Sequence, residues 1–265
     1  MFSNLANLFR YRGLVQSLVA RELKARYRGS ALGFVWSFVN PLLLLLIYSF
    51  VFTTVMPNTT EGVQPYQLFM FCGILPWTWF SSSLSEAANS LIAGGNLIKK
   101  VLFPAEILPI VSVLTNMVHF FLGLPILIAF LLYYQHYPRP ANLLWFPVAV
   151  IVQLLFTTAL ALILSALAVH FRDIKDILSN LLTLWFFATP IIYPWFQPSV
   201  QKFHLFFDIN PFTHLAVSYQ EALFFNRGPV GHYKWLLAWG AGSVVLFLAA
   251  YWLFDRLRDS FAEAV

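Results

Sequence analysis

A chain of 265 residues that is 60% hydrophobic and only 10% charged cannot cover a water-facing surface, since a soluble domain carries about 25% charged residues. With a mean hydropathy of +0.73 it reads instead as an all-α membrane protein forming one domain. Its one cysteine, Cys72, excludes an intramolecular disulfide or a thiolate metal cluster within one chain, and its net charge of +5 matters through its placement.

The first predicted element lies within residues 1–30, in "LFRYRGLVQSLVARELKARYRGS". At helical spacing Arg10, Ser17, Arg21, Lys24 and Arg28 share one face, and Leu8, Tyr11, Val15, Leu18 and Val19 lie roughly opposite. This predicts a helix lying in the cytoplasmic interface, with Glu22 and Arg26 one turn apart and compensating each other on its apolar side. No cleavable leader is expected, because the first long apolar run begins only near Phe34, behind six cations, and no small-residue cleavage site follows it.

Six runs are then long enough to cross a bilayer: Phe34–Met56, Tyr66–Ile92, Ile107–Tyr134, Leu143–Val169, Ile177–Tyr193 and Trp235–Phe254. They are continuous rather than alternating, which argues against a β-barrel. With the N-terminus inside, the inner segments hold twelve lysines and arginines and the outer segments four, so both termini are expected in the cytoplasm. Between the last two runs, Pro194–Lys234 contains an apolar stretch, Phe212–Phe225, of only 14 residues that includes Glu221. That segment is predicted to form short re-entrant helices on the outer face, punctuated by Pro194, Pro198, Pro211 and Pro229.

Catalytic signatures are missing from the sequence. There is no G-x-x-x-x-G-K-[ST], no H-E-x-x-H and no G-x-S-x-G, and His119, His136, His170, His204, His214 and His232 have no metal-like spacing. His119 and Asn116 stand one turn apart within the third run, where an interhelical hydrogen bond is the plainer reading. Glu86 falls at the cytoplasmic edge of the second run, among Ser81, Ser82, Ser83, Ser85, Asn89 and Ser90, an end that reads as wet or tightly packed. Embedded acids are otherwise nearly absent, against a proton-coupled transporter or an intramembrane hydrolase, so energy for transport has to come from elsewhere.

The surplus is aromatic: 28 Phe, 11 Tyr and 9 Trp, dense in "LPWTWF" (75–80) and "LWFFATPIIYPWF" (184–196) beyond what an interfacial belt needs. Flat rings stack on the C–H faces of sugars, which makes Trp36, Trp77, Trp79, Trp185, Phe186, Phe187, Tyr193 and Trp195 a candidate glycan surface, with belt and packing as the plainer alternative.

Four stretches, in order, resemble ABC-2-type permeases that export polysaccharide: "RELKARYRGSALGFVWSFVNPLLLLLIYSFVF" (21–52), "NLIKKVLFPAEILP" (96–109), "FRDIKDILSNLLTLWFFATPIIYP" (171–194) and "INPFTHLAVSYQEALF" (209–224). The resemblance covers nearly the whole chain and is nearest to the membrane subunits of O-antigen, capsule and teichoic-acid exporters. It implies a homodimer of six-span subunits in the bacterial inner membrane, two copies of a cytoplasmic ABC ATPase that binds ATP and Mg, and a polyprenyl-diphosphate-linked glycan as substrate, with membrane lipids as surround and no nucleic acid. No cofactor is expected in this chain. Where the family often carries Arg, this chain has Gln220.

On that resemblance, residues 95–106 are expected to receive the ATPase, through Asn96, Leu97, Ile98, Lys99, Lys100, Val101, Phe103, Pro104 and Glu106. The stretch is helix-compatible up to Phe103, where Pro104 favours a break. Arg172, Asp173, Lys175 and Asp176 form a second cytoplasmic turn, with Asp173 as the expected cap of the fifth helix. Arg21, Lys24, Arg26 and Arg28 are expected to attract the lipid diphosphate. A permease for a drug or small lipid, and a membrane-embedded transferase using His119 and Glu86, are the alternatives.

Overall fold

A computed structural model describes residues 10–55, 62–99, 103–171, 173–225 and 230–264. Every regular element among them is helical: α1 (Arg12–Arg26), α2 (Trp36–Phe50), α3 (Tyr66–Ala93), α4 (Gly95–Ile98), α5 (Ile107–Tyr133), α6 (Pro140–Leu143), α7 (Trp145–His170), α8 (Ile174–Phe187), α9 (Pro198–Gln201), α10 (His204–Ile209), α11 (Pro211–Leu223) and α12 (Tyr233–Ala264). A 3-10 turn, Gly33–Val35, leads into α2, and a π turn, Val51–Val55, continues it.

Among the described residues, four helical stretches are long and apolar enough to cross a bilayer: Gly33–Val55, Ile107–Tyr133, Pro140–His170 and Tyr233–Arg258. Helix α3 is long enough, since 28 residues rise about 42 Å, but its Trp, Ser and Pro content makes it less apolar. Its position accounts for that composition. Every residue from Tyr66 to Trp77 is buried, and α5, α7, α8 and α11 pack around it. A helix enclosed by protein has no need of an all-round lipid-facing surface. Gly73 permits a close approach, since a Cβ there would meet Gln220 Nε2 and Ile191 Cγ2 at 3.2 Å.

The fifth predicted run is corrected in length. Ile177–Tyr193 was expected to be one span, but α8 ends at Phe187 after 14 residues, a rise of about 21 Å against a hydrocarbon core of about 30 Å. Pro190 and Pro194 lie in the turns that follow, where they cannot supply helical N–H groups. The last run extends the other way, with α12 continuing to Ala264.

The turn after α8 is fixed by Asn210. Its Oδ1 accepts from Phe212 N (3.1 Å), capping α11, and from Trp185 Nε1 (2.7 Å); its Nδ2 donates to Ala188 O (3.1 Å) and Thr189 Oγ1 (3.0 Å). Pro211 occupies the first turn of α11, where its missing N–H costs nothing. Gln220 Nε2 donates to Pro190 O at 3.0 Å, so the position where Arg is frequent in the resembling permeases here closes a break in the backbone. Every α11 residue from Phe212 to Leu223 is buried by protein.

Contacts sort the connections to two ends. The basic end joins α1, the 95–106 loop, the start of α8 and the tail of α12 through Arg26–Glu86 (2.5 Å), Lys175–Asn89 (2.5 Å), Arg258–Glu106 (3.8 Å) and His170–Ser260 (3.1 Å). The far end gathers Gln67–Tyr134 (2.6 Å), His136 on Phe224 O (2.6 Å), Asn142 on Glu221 O (3.2 Å) and Tyr66 on Ile192 O. The charge count along the sequence assigns the same segments to the same two sides.

Asn210→Ala strips partners from the half-buried Trp185 Nε1 and the first turn of α11, and is expected to cost roughly 2–4 kcal/mol. Thermal unfolding of the purified chain in detergent should show a clearly lowered midpoint; an unchanged midpoint would remove Asn210 as the anchor.

Candidate functional site

Two adjoining cavities open along one side of α3. The first, about 460 Å³, lies between α1, the start of α2, α3 and α5. A polar network crosses it. Arg26 Nη2 donates to Glu86 Oε1 (2.5 Å), Asn116 Nδ2 to Glu86 Oε2 (2.7 Å), and Ser37 Oγ to Tyr27 OH (2.8 Å); Tyr27 OH lies 3.4 Å from His119 Nδ1. Asn116 and His119 thus make the interhelical contacts the plainer reading expects, whereas Arg26 turns to Glu86 on α3 instead of to Glu22 on its own helix. A 2.5 Å bond to a carboxylate that also accepts from Asn116 outweighs an exposed one-turn pair, worth only a few tenths of a kcal/mol. His119 Nε2 is buried with no partner among the described residues, and Trp36 and Trp79 line the same space.

The second cavity, about 550 Å³, runs between α2, α3 and α8. Thr78, Ser81, Ser82 and Ser85 stand on one face of α3, and Ser179 and Thr183 face them from α8. Trp77, Phe186, Phe187 and Tyr48 supply flat apolar walls, and Thr78 and Ser82 line both this cavity and the first. Hydroxyls beside rings are chemically suited to a neutral polyhydroxylated chain: the rings meet C–H faces, the hydroxyls exchange hydrogen bonds with sugar hydroxyls, and no buried cation grips the chain. The exposed side of α8 also mixes Ser179, Asn180 and Thr183 with Ile177, Leu181 and Leu184. Amide and hydroxyl groups are disfavoured against lipid, so that side suits water or protein.

The expected aromatic surface is therefore divided. Trp36 and Trp79 belong to the first cavity, and Trp77, Phe186 and Phe187 to the second. Trp185 packs between Trp77 and Phe80 with its N–H on Asn210, Tyr193 OH donates to Phe187 O (2.8 Å), and Trp195 lines a third cavity at the far end. Trp79 is also a packing residue, stacked on Phe120 with its N–H on Val113 O.

At the basic end, Asn96, Leu97 and Ile98 are helical and Lys99 ends that helix, exposed. Lys100 and Val101 lie outside the described residues. The helix expected to reach Phe103 is corrected: Phe103 and Pro104 are irregular, and Ile107 starts the next helix. Phe103 touches two clusters, Leu18, Ile107 and Val111 beneath α1, and Leu91, Tyr251 and Phe254 beside α12, while Glu106 is buried near Arg258. The loop is thus mechanically joined to both the first and the last helix.

Asp173 occupies the N-cap position of α8 but makes no cap bond, another correction. Its backbone is helical (φ −71°, ψ −13°), not the extended conformation that aims a cap side chain at the first-turn amides. Asp176 stands in the first turn, Lys175 donates to Asn89 on α3, and Arg172 lies outside the described residues. Arg21, Lys24 and Arg28 are exposed along and just past α1.

Tyr27, Ser37, Tyr48, Thr78, Ser179 and Thr183 were not anticipated as site residues. A signal existed for three of them, Thr78, Ser179 and Thr183. Thr78, Ser81, Ser82 and Ser85 follow helical spacing, as do Ser179 and Thr183, and a polar stripe in an apolar helix marks a surface that does not face lipid.

The chain matches the family described as ABC-2 type transporter over residues 13–224. It is 45% identical to the O-antigen export system permease protein RfbA of Myxococcus xanthus, across 97% of both chains. It is 34% identical to RfbA of Klebsiella pneumoniae, across 98% of this chain and 96% of that one. It is 22% identical to the polysialic acid transport protein KpsM of Escherichia coli, across 79% of this chain and 80% of that one. A family match over most of the length, on a helical chain built to cross a membrane, means that the chain belongs to the ABC-2 type transporter membrane family.

Proposed function

We propose that this chain is the membrane-spanning subunit of an ATP-driven exporter of lipid-linked polysaccharide, O-antigen being the favoured cargo. The observation that carries the proposal is the end-to-end likeness to an O-antigen export permease at 45% identity. The hydroxyl- and ring-lined cavities beside α3 suit such a cargo better than a small apolar drug.

In this reading the chain crosses the inner membrane six times with the basic end in the cytoplasm. The fifth pass is completed by α8 and the return segment through α11. Two copies assemble around the mixed polar face of α8 and the exposed apolar face of α2, where Leu43, Leu46, Ile47 and Phe50 stay largely exposed among the described residues. Two ATPase subunits bind ATP and Mg in the cytoplasm, because this sequence has no P-loop of its own. Their closure pushes the 95–106 loop. Phe103 passes that push to α1 and α12, a shear of packed helices rather than a bend of a flexible loop. The cations of α1 hold the diphosphate end of the lipid near the first cavity.

Deleting the chain should abolish surface glycan, and restoring it together with its ATPase should bring the glycan back; a wild-type glycan profile in the deletion strain would refute the proposal. Ser82→Trp, which fills the wall shared by both cavities, should cut export at least tenfold while leaving the complex assembled, and normal export by that variant would move the pathway elsewhere. Phe103→Ala should leave ATP hydrolysis by the complex measurable while lowering the glycan exported per ATP; unchanged coupling would exclude Phe103 as the lever.

A further inference from the structure

The third cavity lies at the far end, away from the loop and the α3 groove, and holds about 580 Å³, within the range of small-molecule sites. It sits between α9, α10, the start of α11 and the start of α12. Trp195, Phe207 and Trp235 form its walls. Each ring is pinned: Trp195 meets His232 edge-on at 4.9 Å, Phe207 meets Tyr193 at 6.2 Å, and His214 stacks on Trp235 at 4.7 Å and 10°, leaving 45% of Trp235 exposed.

Hydrogen-bonding groups line the same space without partners among the described residues. Thr213 is only 3% exposed, yet its Oγ1 has no hydrogen bond, an expensive state for a buried hydroxyl. Asp208 spends its backbone carbonyl on His214 Nε2 (2.9 Å), while among the described residues its carboxylate makes no hydrogen bond or ion pair. Gln201 is exposed at the rim with its amide uncommitted. Among the described residues no lysine or arginine lines the cavity, and Asp208 is the only acid on its wall.

Pinned aromatic faces, an uncommitted carboxylate and amide, and a buried hydroxyl lacking a partner are the chemistry of a pyranose subsite. The rings take the axial C–H face, Asp208 accepts from vicinal hydroxyls in charge-assisted bonds, and Thr213 and Gln201 complete the set. We propose that this cavity binds one uncharged pyranose unit, a neutral hexose or an N-acetylhexosamine, of the glycan as it leaves the outer face. The Asp208 carboxylate and the absence of a lining lysine or arginine among the described residues disfavour uronic and sialic acids, with the lining His232 turned to Glu221. The location on the outer face rests on the export reading above.

The full-length chain in detergent, titrated with methyl-mannoside, methyl-galactoside, N-acetylglucosamine and glucuronic acid, tests it by saturation-transfer NMR and tryptophan fluorescence. Saturable binding of at least one neutral sugar, with none of glucuronic acid, is expected. Trp195→Ala should weaken that binding about tenfold. Asp208→Asn, a nearly isosteric change, should weaken it several-fold and reduce the discrimination against glucuronic acid. Absence of saturable binding by every neutral sugar, equal binding of glucuronic acid, or binding indifferent to both substitutions overturns the site. Export is scored separately by surface glycan. A chain that exports but binds no neutral sugar refutes the subsite alone, whereas one that binds through Trp195 but restores no glycan refutes the export reading and leaves the subsite standing.

Discussion

A chain that breaks its helices in apolar surroundings must find hydrogen bonds for the broken backbone within itself. Here Asn210 meets most of that requirement. Its amide reaches back to Ala188 and Thr189 at the end of α8 and forward to Phe212 in α11, and it takes the Trp185 N–H as well. Gln220 and Tyr66 serve the next carbonyls, Pro190 and Ile192. With those groups satisfied, α8 can stop after 14 residues and α11 can be sealed inside protein. The far-end cavity, the buried aromatic cluster around Trp77 and Phe212, and the face of α8 toward the groove all depend on that turn.

The basic end is organised by charge placed where it can be shared. Glu86 stands on the central helix and accepts from Arg26 of α1 and Asn116 of α5, so one carboxylate holds three elements in register. Glu106 sits near Arg258 of α12, and Lys175 reaches Asn89. These contacts leave Lys99 exposed and Phe103 wedged between two apolar clusters. A push on the exposed part of the loop therefore reaches packed side chains directly. The rigidity expected of a helix running to Phe103 comes instead from packing around an irregular turn.

Much of this was legible beforehand, for identifiable reasons. Long apolar runs place the first four expected spans within a few residues, three of them on length and hydropathy alone and the less apolar second, α3, on its length. The positions of Lys and Arg sort the connections to two ends, and the structure gathers the same segments. Glu86, Asn116 and His119 stood out because polar groups are rare in such helices. Asp173 and Arg26 went differently. A cap needs an extended backbone and a pair needs both side chains free, and neither condition is written in local spacing.

The sequence by itself determined that the chain is a helical membrane protein without a nucleotide-binding loop, that its ends differ in charge, and that its motifs run in the order of an export permease. These follow from composition, run length and residue order, which survive any packing. The tertiary structure alone decided where α8 stops, which rings are packing and which line cavities, that Gln220 closes a backbone break, and that Thr213 and Asp208 meet beside Trp195 and Trp235. Those depend on residues far apart in the chain meeting in space, and no local period encodes that meeting.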